Sequence, residues 1–119
     1  YYTPVSVADN KIKKSDSDMS IPLKRTTDIL KFLGENKKPG QFICGFSMET
    51  ENMLDNSRKK LEKKNADMIV ANSLVTGGAG FGTDTNIVTL ITKDNIKEYD
   101  IMSKEKVADT ILDAIVNGF

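Results

Sequence analysis

The sequence predicts an α/β fold: a mixed sheet built on a βαβ unit, with helices packed on it and a β-hairpin arm at the N-terminus. Three observations predict it. Two short apolar runs, Phe42 to Phe46 and Met68 to Ala71, flank a polar segment of helical length, and about thirty residues is the usual span of a βαβ unit. A β-branched run, Asn86 to Thr92, is followed by the turn Lys93-Asp94-Asn95 and a returning segment, Ile96 to Met102, which together read as a hairpin. Val107, Ile111, Leu112 and Ile115 then form an apolar stripe at helical spacing. The 119 residues make one domain at most, divided here into an arm over residues 1–25 and an α/β core over 26–119.

Taken in order, the chain starts at Tyr1-Tyr2-Thr3-Pro4-Val5 without an initiator methionine, as a fragment or a trimmed terminus would. Lys11-Ile12-Lys13-Lys14 and the alternating segment Met19 to Leu23 are expected to pair as a hairpin across the polar turn Ser15 to Asp18. Met19, Ile21 and Leu23 share one face, and Pro22 favours an edge position. The lysines serve either to protect an edge strand or to carry ammonium groups to an anion. Thr26, Thr27 and Asp28 are N-cap candidates for a short helix, Ile29 to Leu33, stopped near Gly34. Thr50 is expected to cap a helix running through Lys64, with Glu49 and Glu51 near its N-terminus and Lys63 and Lys64 near its C-terminus. Ser103 caps the last helix and Gly118 ends it.

Several function classes are excluded. Seventeen basic and seventeen acidic residues cancel, unlike the basic domain of a general nucleic-acid binder. No apolar run approaches the roughly 20 residues that span a membrane, and no signal-peptide pattern is present. There is no histidine, so Ser-His-Asp and Cys-His nucleophile systems and His-ligated metal sites are absent. The single Cys44 cannot form an internal disulfide; it reads as a small core residue and suits a reducing, cytoplasmic location.

Two features point towards an anion. On the central helix, Arg58 and Lys59 each have Asp55 and Glu62 three or four residues away, whereas Lys60 and Lys64 stack on one stripe with no acid beside them inside the helix. Like charges at that spacing cost roughly 0.2–0.5 kcal/mol in an isolated helix. The stripe is either a solvated face or a site for a polyphosphate. Thr76 to Asp84 holds four glycines in nine residues, a loop whose N–H groups could approach a phosphate or a plain connection. It is neither a P-loop nor the dinucleotide fingerprint.

Five segments in order, KIKK, TTDIL, GFSMETEN, KKLEKKNADMIVAN and GAGFGTDTN, together resemble phosphopantothenate–cysteine ligase, the synthetase half of a bifunctional enzyme of coenzyme A biosynthesis. The resemblance covers the C-terminal part of that synthetase domain. The family's upstream nucleotide-fold segment and the flavin-binding decarboxylase half, with its FMN, lie outside these 119 residues. The resemblance implies a three-layer, Rossmann-like or ribokinase-like core, a homodimer, and the substrates 4′-phosphopantothenate, cysteine and CTP with Mg²⁺. It also implies nucleotide-contacting roles for Lys11 on a mobile arm, for Thr27, Asp28, Ile29 and Leu30 in a turn, for Phe46, and for Lys60 and Lys64. The family's turn usually begins Asn-Pro, where this chain has Thr26-Thr27, and Tyr1 stands where the family has an acidic residue. No catalytic residue and no metal ligand is assigned. The alternative is a nucleotide-binding or dimerisation module without catalysis of its own. If the helix begins at Thr50, Lys60 lies about 15 Å along it, far from Phe46 at the strand's C-terminal end.

Overall fold

A run of four buried residues, Met68 to Ala71, is the hydrophobic centre of the chain. The computed structural model describes residues 1–73 and 85–119, so the whole glycine-rich segment, Thr76 to Asp84, lies outside the described residues. Eight strands and three helices are described: β1 (Tyr2–Pro4), β2 (Leu23–Arg25), α1 (Ile29–Glu35), β3 (Cys44–Glu49), α2 (Met53–Lys63), β4 (Met68–Ser73), β5 (Thr85–Asn86), β6 (Val88–Thr92), β7 (Ile96–Glu98), β8 (Met102–Ser103) and α3 (Lys104–Asn117).

The expected βαβ unit is present. β3 and β4 pair in parallel, Cys44 opposite Met68 through Glu49 opposite Ser73, with α2 as the crossover. β6 joins β4 antiparallel, β7 joins β6, and the four-stranded order is β3-β4-β6-β7. Strand alternation then assigns two faces. Met68, Val70, Val88 and Leu90 meet Val107, Ile111 and Ala114 of α3, with Cys44 at the margin. On the opposite face Gly45, Ser47 and Glu49 of β3 are buried, Gly45 against Leu30 of α1 and Ser47 and Glu49 against Lys60 of α2. Helices on both sides of one mixed sheet make the three layers.

The structure moves several expected boundaries. β3 extends to Glu49 to stay paired with Ser73, leaving only Thr50 to Asn52 to turn the chain, so α2 begins at Met53 rather than after Thr50. Asn52 occupies that turn in the left-handed region (φ 48°), which asparagine tolerates. The hairpin arm pairs Tyr2 with Arg25 and Pro4 with Leu23; Lys11 to Lys14 take no strand conformation and are exposed, because nothing is packed over Ile12. The segment expected to return over Ile96 to Met102 splits into β7 and β8, and β8 pairs with β5. Leu112 is 61% exposed, and Ala114, three residues on from Ile111 and so on the same helix face, takes its place in the buried stripe. Gly34, read as a helix stop, is inside α1 and buried. Ser103 does cap α3, accepting from the Lys106 N–H at 3.2 Å.

Candidate functional site

Beside β3, the edge strand of the main sheet, lies an open cavity of about 530 Å³. Four separate elements supply its walls. The β1–β2 ribbon contributes Tyr1, Tyr2 and Arg25; the turn into α1 contributes Thr26 to Leu30; β3 contributes Phe46; and α2, extended by its cap residue, contributes Lys60 and Lys64. Seven of the eight expected site residues, Thr27, Asp28, Ile29, Leu30, Phe46, Lys60 and Lys64, therefore face one space. Lys11 does not line it: it sits on the exposed segment between β1 and β2.

The separation expected between Phe46 and Lys60 is resolved by the later start of α2. With Met53 as its first residue, the helix runs back alongside β3, and the Lys60 ammonium reaches Ser47 Oγ at 2.9 Å and Glu49 Oε1 at 2.8 Å. The site thus runs along the flank of α2 rather than sitting at its beginning.

Glycines set the spacing of these walls. A Cβ at Gly45 would lie 2.8 Å from Leu30 Cδ2, and one at Gly34 would lie 1.7 Å from the Lys64 carbonyl oxygen. Leu30 therefore rests on β3, and α1 is seated directly against the end of α2. The Asn65 side chain reinforces that contact by donating to the Gly34 carbonyl at 2.9 Å.

The electrostatics correct one inference from local spacing. Lys60 and Lys64 have no acid partner within α2, but each has one from elsewhere in the fold. Lys60 pairs with Glu49 of β3, and Lys64 with Asp28 at the N-terminus of α1. Asp28 has two duties: Oδ1 accepts from the Lys31 N–H at 3.0 Å as the helix cap, and Oδ2 accepts from Lys64. Lys64 and the Lys31 N–H together hold the Asp28 carboxyl below the usual range. For Glu49, burial pushes the pKa up, but hydrogen bonds from Lys60, Ser47 and Asn56 outweigh it and the net shift is downward. Cys44 lies outside the cavity, and burial pushes its thiol up.

Sequence reasoning missed Arg25. It continues the alternation Met19, Ile21, Leu23 by two more residues, so the signal was a guanidinium on the same face as three apolar side chains. Ser47 and Glu49 were also missed, although both lie in the GFSMETEN segment. An adjoining cavity of about 400 Å³ is lined by Glu49, Asn56, Lys59, Lys60, Lys63 and Lys64, so the two lysines stand between two spaces. Among the described residues lining the main cavity there is no thiol or imidazole, and its one carboxylate is ion-paired. The arrangement suits holding a polyanion that carries a planar or apolar part: the lining combines aromatic and aliphatic side chains with three cations, Arg25 from the ribbon and Lys60 and Lys64 from α2. Among the described residues, no group of three or more Asp, Glu, Cys or His is placed to hold a metal, and no helix is long and apolar enough to cross a membrane.

Fold and site define a three-layer α/β domain with a basic cavity at its edge strand. The chain belongs to the DNA/pantothenate metabolism flavoprotein C-terminal domain family, whose description matches residues 1–119. It is 53% identical over 115 residues to the coenzyme A biosynthesis bifunctional protein CoaBC of Bacillus subtilis (strain 168), covering 96% of this chain and 28% of that protein. It is 43% identical over 116 residues to a cysteine/cysteine sulfinic acid decarboxylase from an unknown prokaryotic organism, covering 97% of this chain and 32% of that protein. A crystal structure of the C-terminal domain of CoaBC superposes with a TM-score of 0.67 at 45% identity, over 80% of this chain and 43% of the other. The chain thus spans about a third or less of the curated relatives it matches.

Proposed function

We propose that this chain forms the nucleotide-holding part of a phosphopantothenate–cysteine ligase acting in coenzyme A biosynthesis. One observation carries the reading: seven residues expected from the sequence to touch a nucleotide, drawn from the turn into α1, β3 and α2, surround one cavity whose cations outnumber its acids. Family membership and the names of the coenzyme A relatives support it.

In the proposed reaction the carboxylate of 4′-phosphopantothenate attacks the α-phosphorus of CTP, releasing pyrophosphate and leaving an acyl-cytidylate. The cysteine amine then attacks the acyl carbon, forming the amide and releasing CMP. This chain's share is to bind and orient the nucleotide and to stabilise charge as pyrophosphate departs. Lys60, held by Ser47 and Glu49, and Lys64, held by Asp28, are fixed before the ligand arrives. Phe46, Ile29 and Leu30 offer apolar surface to the nucleoside end. Lys11 stands apart from the cavity and takes part only if its segment folds over the ligand. The described residues do not form a carboxylate cage for Mg²⁺; in this proposal the ion enters on the phosphates, as Mg²⁺ commonly does. FMN belongs to a decarboxylase domain outside these residues, and no step here uses it. A homodimer and a cytoplasmic location complete the proposal.

The test is thermal stabilisation of the full-length protein by CTP with Mg²⁺. A ligand at 100 times its Kd stabilises by about 2.7 kcal/mol, and Lys60→Gln and Lys64→Gln should each reduce the shift. Equal shifts in wild type and both variants refute the assignment. The second reading, a binding or dimerisation module without chemistry, is separated by assaying pyrophosphate release from the 119-residue chain alone: release there refutes it.

A further inference from the structure

The cavity's three cations are not equivalent. Lys60 and Lys64 are already neutralised by Glu49 and Asp28. Arg25 lines the same cavity, is exposed, and has no ion-pair partner among the described residues. Its placement follows from strand register. Directly opposed residues of an antiparallel pair share a face, so Arg25 lies beside Tyr2, its cross-strand partner, and Tyr2 also lines the cavity. Lys24 and Thr3 point to the other face, and neither lines the cavity. The end of the ribbon is pinned at this point, because the Thr26 N–H and hydroxyl both reach the Tyr1 carbonyl, at 3.0 and 3.3 Å.

We propose that Arg25 is the cavity's principal phosphate-contacting group, its guanidinium being the one cation there with an unspent charge. A guanidinium presents donors in a planar fork that matches phosphate oxygens two at a time, which an ammonium cannot do. Lys60 and Lys64 each already pair with a carboxylate; Arg25 pairs with none among the described residues. This inference rests on the nucleotide reading above and adds to it the residue that holds the phosphates.

Calorimetric titration of the full-length protein with CTP–Mg²⁺, and separately with inorganic tripolyphosphate, tests it. Arg25→Gln should weaken both ligands about tenfold or more. Arg25→Lys should recover part of the loss, and Lys24→Gln, one residue away on the opposite face, should bind within about twofold of wild type. Arg25 is a surface residue, so its variants should melt as wild type does. If Lys60→Gln weakens CTP while Arg25→Gln does not, the inference falls and the nucleotide reading stands. If Arg25→Gln weakens CTP but not tripolyphosphate, the contact is to the nucleoside and the phosphate assignment is overturned. If Arg25→Gln, Lys60→Gln and Lys64→Gln all bind CTP as wild type does, the nucleotide reading fails and takes this inference with it.

Discussion

Gly34→Ala should destabilise the domain and spoil the cavity together. In an exposed helix the change is favourable, since alanine exceeds glycine in helix propensity by about 1 kcal/mol. Gly34 is buried, however, and its new Cβ would meet the Lys64 carbonyl oxygen at 1.7 Å, the carbonyl carbon at 2.8 Å and Asn65 Cβ at 3.3 Å. The obstacle is backbone, so no side-chain rotation relieves it. Restoring normal contact requires α1 and the end of α2 to separate by about 1.5 Å or more. Overpacking of this kind costs about 1–3 kcal/mol, occasionally more; a backbone contact this close belongs in the upper part of that range, about 2–3 kcal/mol, so after the propensity gain the net change is a loss of about 1–2 kcal/mol. For a domain of this size that lowers Tm by roughly 3–10 °C. The same separation pulls Asp28 from Lys64 and Asn65 from the Gly34 carbonyl, so affinity for CTP should fall as well. Urea melts and a CTP titration on the same preparation measure both. A variant as stable as wild type, or more so, refutes the close-approach account and leaves Gly34 as an ordinary helix residue.

Other consequences are simpler to check. Ser57 is fully buried in α2 and its hydroxyl finds no partner among the described residues, so Ser57→Ala should leave stability unchanged or raise it by about 1 kcal/mol in urea melts; a loss of that size would mean the hydroxyl is satisfied after all. Glu49 has a folded pKa below its usual value, so its contribution to stability is complete above about pH 5 and is lost as pH falls through the folded value. Glu49→Gln should therefore lower stability at neutral pH and flatten the fall below pH 4.5, and parallel pH–stability curves for variant and wild type would contradict this. Asp67 takes the Ile43 N–H at 2.8 Å and the Lys37 ammonium at 3.3 Å, tying the entries of β3 and β4 together. Asp67→Ala should cost about 2 kcal/mol, read as a lower midpoint in urea with an unchanged slope.

The strands that bury apolar runs were legible because burial leaves a pattern. Met68 to Ala71 and Val88 to Ile91 announce themselves, and both strands are where the sequence placed them. The cap at Ser103 was legible because its chemistry is local. Gly34 was not. A glycine that stops a helix and a glycine that lets another backbone approach look the same in one dimension, and the second depends on a carbonyl thirty residues away. The β1–β2 pairing was misplaced for a similar reason: the alternation near Leu23 identified one strand, but its partner was fixed by a ribbon closing over residues 5–22, not by a tight turn. For the site, the resemblance named seven residues that line the cavity, while the spacing of Lys60 and Lys64 supplied only a question about missing acids. Glu49 and Asp28 lie far from α2's lysines in sequence, so no count of neighbours along the helix could find them.

Those two acids also divide the lysines by how readily each could change partner. The Glu49 side chain is 10% exposed and accepts from Ser47, Asn56 and Lys60 at once. Withdrawing Lys60 would leave a buried carboxylate without its charge partner, an expensive state. The Asp28 side chain is 45% exposed, and water can solvate it if Lys64 turns away, while the Lys31 N–H still holds the cap. In the proposed complex Lys60 therefore adds ligand contacts without giving up Glu49, whereas Lys64 is able to exchange a carboxylate for a phosphate. A cavity with one fixed cation, one exchangeable cation and one guanidinium unpaired among the described residues can remain stably folded when empty, because the like charges on α2 are compensated locally, and still present net positive charge to a polyphosphate.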